Sequence, residues 1–76
     1  MRKFLEIYVE QTQEEIDRGI PQQVIRFDVS DKTEEEIVDL RDKIVSTLGL
    51  KNFKSFIHIC YHDEGPTKPC QIFEIT

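Results

Sequence analysis

Four short stretches of this chain alternate apolar with polar residues, and only one stretch repeats apolar residues at helical spacing. That ratio constrains the architecture most, because a sheet has two broad faces and a lone helix shields one of them. Across residues 4–10, Leu5, Ile7 and Val9 point one way while Phe4, Glu6, Tyr8 and Glu10 point the other. Residues 24–30 repeat the pattern, with Ile25, Phe27 and Val29 inward and Val24, Arg26 and Asp28 outward. Residues 56–62 form a third strand and residues 69 or 70 to 76 a fourth. The segment 63–68, which contains Gly and Pro, joins them as a hairpin.

The single helix follows the second strand. Ile37, Leu40, Ile44 and Leu48 recur at helical spacing, and Val38 and Val45 broaden the stripe. Asp31 or Thr33 caps its start, Glu36 stands three residues after Thr33, and Glu34, Glu35 and Glu36 suit the positive end of the helix dipole. Gly49 marks its end. Residues 11–21 read as a structured loop. Thr12 and Glu15 have capping-box spacing and Gly19 ends any turn, but the piece is too short to be expected as a helix.

These elements define one α+β domain over residues 1–76, a two-layer ββαββ arrangement with one helix packed on a four-stranded, mainly antiparallel sheet. A right-handed crossover passing over the first strand gives the order 2-1-3-4, with 2-1-4-3 as the alternative. Pro69 fits a fourth strand at the sheet edge. At 76 residues the chain buries only about 60% of its unfolded surface, so its core is thin and a partner would add to its stability.

Fifteen acidic and ten basic residues give a net charge of −5. That sign opposes nucleic-acid phosphates and anionic membranes, so neither is an expected partner. Arg41, Lys43, Lys51 and Lys54 are read as cations near the negative end of the helix. Residues 1–6 begin like an export signal, but Glu6 and Glu10 interrupt the apolar run, and no stretch approaches a membrane span. A cytoplasmic location is expected, with Cys60 and Cys70 as reduced thiols or metal ligands.

Function is expected on the sheet face away from the helix. Alternation places Phe4, Tyr8, Phe56 and Ile72 there as anchors for a protein partner or a second copy, making a homodimer or other homo-oligomer the leading expectation. The alternative is transition-metal binding or thiol chemistry in the motif His58-x-Cys60-x-His62 with Cys70. A register opposing Ile57 to Phe73 also opposes Cys60 to Cys70, with Cβ atoms about 4.5–5.5 Å apart. Cys60, Cys70 and His62 are then within reach of one Zn²⁺, whereas His58 and His62 stand about 13 Å apart along a regular strand. Apart from that zinc alternative no cofactor is expected. Nor is an enzyme: no nucleophile–base arrangement or phosphate loop is legible, and a core this thin rarely encloses a substrate.

Overall fold

Leu5 and Ile7, at the middle of the first strand, are completely buried, and the rest of the molecule is arranged to bury them. The computed structural model describes residues 1–65 and 67–76. It contains β1 (Arg2–Val9), α1 (Gln13–Asp17), β2 (Val24–Asp28), α2 (Glu34–Leu48), β3 (Phe53–Cys60) and β4 (Gln71–Ile75). The sheet order is β2-β1-β3-β4, with every pairing antiparallel, as the crossover argument requires. The ββαββ framework therefore holds. Strands 1 and 3 begin and end earlier than alternation places them, β2 stops at Asp28, and β4 starts at Gln71.

The loop expected over residues 11–21 contains a helix, which corrects that reading. Thr12 accepts from the amide of Glu15 while the Glu15 carboxylate accepts from the amide of Thr12, so the capping box forms. Five residues suffice because both ends are satisfied locally, and Gly19 at φ 72° turns the chain out. The helix buries none of its residues, so hydrophobic patterning leaves no mark in the sequence. In α2 the cap is Thr33, with a second complete capping box to Glu36, and Gly49 at φ 65° closes it in the left-handed region that glycine tolerates.

α2 lies over the centre of the sheet. Ile37 packs with Leu5, Ile7, Val29 and Ile57, and Leu40, Ile44 and Val45 border that cluster. The helix is too narrow to cover four strands. Phe27, expected to face inward, and Phe73, which pairs with the buried Ile57, point toward the helix side but remain 42% and 51% exposed, and Leu48 is exposed as well. An open groove of about 300 Å³ runs along one flank of α2, lined by Ile25, Phe27, Ile44 and Leu48. Another of about 540 Å³, lined by Ile37, Ile57, Ile59 and Phe73, runs along the other. Extents of 42 × 28 × 17 Å leave no thickness for a third layer.

Arg41 departs most from its expected role. It is buried at mid-helix, not placed at the negative end, and its guanidinium donates to Ser55 Oγ (2.9 Å) and to the carbonyl of Ile75 (3.4 Å). The hairpin connection expected over 63–68 includes residue 66, outside the described residues. On the β3 side of it, the amides of Glu64 and Gly65 donate to the carbonyl of Tyr61 (2.9 and 3.2 Å), making a turn.

Candidate functional site

The ladder registers lay the outward face out as a grid, read from β2 to β4. Val24, Tyr8 and Lys54 form one row, Arg26, Glu6, Phe56 and Glu74 the next, and Asp28, Phe4, His58 and Ile72 the third. Below them Arg2 pairs with Cys60, and one step beyond the last β3–β4 pair, Ile59 with Gln71, Cys60 comes opposite Cys70. All four expected anchors thus share one face, and none lies under the helix. Phe4, Tyr8 and Phe56 are half-buried, whereas Ile72 is 59% exposed.

Strand twist brings diagonal neighbours together on this face. The Tyr8 and Phe56 rings meet edge to face at 5.4 Å, beside a depression of about 360 Å³ lined by these two residues with Gln22, Lys54 and Ile72. Phe4 sits apart from that depression, with the Arg26 guanidinium 4.0 Å above its ring and His58 edge-on at 6.3 Å. The apolar anchors are therefore three plus one.

Glu6 lies between the two groups and is buried, a feature that outward alternation alone does not announce. Its Oε2 is 3.3 Å from both Arg26 Nε and His58 Nδ1. The available signal was the opposite charge of Glu6 and Arg26 on one face, which becomes specific only once their register is known. His58 Nε2 is buried with no hydrogen-bond partner among the described residues. Across the grid three cations, Arg2, Arg26 and Lys54, balance three anions, Glu6, Asp28 and Glu74. The chain as a whole carries −5, so its negative excess lies elsewhere, notably along the exposed Glu34, Glu35, Glu36, Asp39 and Asp42 of α2.

The thiol–imidazole cluster occupies the hairpin end of the same face. His62 has the same parity as Cys60, and the turn after Tyr61 keeps it close: its Nδ1 lies 3.1 Å from Cys60 Sγ, and its Nε2 3.8 Å from Cys70 Sγ. One donor atom from each of the three residues falls within 4.8 Å of the others, and among the described residues no other such group of His, Cys, Asp or Glu occurs. His58 stays outside it, bound to Glu6. Both cysteines are free thiols. Burial raises the Cys70 thiol above its ordinary value, and the hydrogen bond it donates to Cys60, together with negative charge on Cys60, adds to that rise. The next carboxylates, Asp63 and Glu64, instead approach the amino group of Met1 at 2.5 and 4.0 Å.

Fold and site together define a small α+β domain with an uncovered, charge-balanced sheet face. No protein-family model matches the chain, and no curated protein or solved structure does. Among the described residues, no helix is long and apolar enough to cross a membrane.

Proposed function

We propose that this chain is a small cytoplasmic interaction module whose open sheet face pairs with a second copy of itself. The observation that carries this reading is the depression bordered by Tyr8, Phe56 and Ile72 within a face of balanced charge. Two copies of a −5 chain repel, and contact through the acidic side of α2 would bring the repelling groups together. The outward sheet face is where two copies meet at least electrostatic cost, and its alternating cations and anions can pair across a two-fold axis. Strands about 4.8 Å apart, with five to eight residues rising about 3.3 Å each, make a face roughly 20 Å square. Its flat projection of about 400 Å² is half the ~800 Å² per partner of a standard interface, and the relief of its side chains adds accessible area to that projection.

Light scattering across a dilution series tests this. The wild type is expected at twice the chain mass, and Tyr8→Glu or Phe56→Glu at the chain mass with an unchanged circular dichroism spectrum. A wild type that is monomeric throughout, or variants that dimerise normally, refutes the proposal.

A further inference from the structure

Opposed cysteines at the end of an antiparallel ladder have two chemical uses: joining each other, or sharing an ion. The third residue of the cluster distinguishes them. A disulfide needs no imidazole, yet His62 places a single ring nitrogen, Nδ1, 3.1 Å from Cys60 Sγ and 4.0 Å from Cys70 Sγ. Around a tetrahedral zinc ion, bonds of about 2.3 Å to sulfur and 2.0–2.1 Å to nitrogen put two sulfurs roughly 3.8 Å apart and a sulfur and nitrogen roughly 3.5 Å apart. The donor atoms here lie within 4.8 Å of one another, so side-chain shifts of about 1 Å or less, with the 3.1 Å Cys60–His62 contact opening slightly, reach those separations. Cys60 ends β3, Cys70 immediately precedes β4, and His62 follows on the turn begun at Tyr61, so three separately positioned points of backbone converge.

We propose that Cys60, His62 and Cys70 bind one transition-metal ion of the zinc class at the hairpin end of β3 and β4. Two thiolates and an imidazole are soft to borderline donors, which select zinc over magnesium or calcium. Binding displaces the thiol protons of Cys60 and Cys70 to solvent, leaving a neutral unit of one dication and two thiolates. The tetrahedron's fourth position faces out beside the exposed His62 and takes a water. The structural consequence falls on β4. Among the described residues that strand is paired only with β3, and Gln71 to Glu74 are all exposed, so its start has little besides ladder hydrogen bonds to hold it. An ion bridging Cys60 and Cys70 clamps the strand at its open end. This inference is independent of the sheet-face pairing, since the three donors come from one chain.

The test uses the full chain, stripped of metal and kept in reductant, titrated with Zn²⁺ and in parallel with Co²⁺. The expected results are one ion per chain in native mass spectrometry, the intense visible bands of tetrahedral cobalt with thiolate charge transfer, and slower amide exchange across residues 71–75 in the loaded form. Cys60→Ser, Cys70→Ser and His62→Ala are each expected to weaken binding by at least the roughly 10–100-fold that loss of a supporting partner costs a metal site. His58→Ala, on the same strand but outside the cluster, is expected to bind as the wild type does. His62 is exposed, so its variant separates lost binding from lost folding. No bound ion, an ion shared by two chains, or binding that survives in the Cys60→Ser, Cys70→Ser double variant overturns the site.

Discussion

Arg41 occupies a place where an apolar side chain would ordinarily close a helix against a sheet. Its guanidinium satisfies Ser55 Oγ, itself buried, and the carbonyl of Ile75, so one side chain connects α2, β3 and the end of β4. The flanking Asp42, 2.8 Å from Nε, supplies the counter-charge at the solvent edge. Truncation removes charged hydrogen bonds and leaves Ser55 with only a 3.3 Å contact to Ile75. Arg41→Ala is therefore expected to lower stability by about 1.5–3 kcal/mol in urea denaturation. A change within experimental error would mean that the arginine is dispensable to the core. Neither Arg41 nor Glu6 reveals its burial in the sequence. Ser55 comes next to Arg41 only when α2 packs on the sheet, and His58 next to Glu6 only through strand pairing, whereas local patterning treats a charge as a solvated group.

At the scale of elements, the two capping boxes show what local sequence can and cannot specify. Thr33 and Glu36 begin an apolar stripe, so the helix was legible and its cap narrowed to Asp31 or Thr33, of which Thr33 is the one formed. Thr12 and Glu15 cap a helix with nothing to bury, and only the cap could be read. Thr33→Ala is expected to cost about 1 kcal/mol. Glu36 adds a pH dependence. Its carboxylate is held below the ordinary value first by the backbone amide of Thr33 and then by the Thr33 side chain. A lowered native value means the contribution is complete above the ordinary range and is lost as pH falls from about 4.5 downward. The urea midpoint is accordingly expected to drop between about pH 5 and pH 3, and Glu36→Gln to shrink that drop. An identical drop in the variant would place the effect elsewhere. The hairpin register was legible for a different reason. Matching Ile57 to Phe73 on the helix side also brought Cys60 opposite Cys70, although Phe73 itself is only half covered.

For the whole molecule, width decides more than count. Counting one helix against a four-stranded sheet led to one shielded face and one open face. In fact α2 shields only the middle, and Phe27, Leu48 and Phe73 line grooves on its own side. Alternation records which way a side chain points, not whether the opposing element is broad enough to reach it, so those exposures were not legible. Apolar surface is consequently present on both sides of the sheet, and charge is what separates them: the helix side carries the acidic run of α2, while the outward grid is balanced. A thin core of five buried apolar side chains among the described residues gains from any further burial, and pairing through the balanced face supplies it. Residue-resolved NMR shifts followed through a dilution series test this most directly. Pairing through the outward face predicts concentration-dependent shifts at Tyr8, Val24, Phe56 and Ile72, with Phe27, Leu48 and Phe73 unmoved. Shifts confined to the flanks of α2, or a spectrum indifferent to concentration, would contradict it.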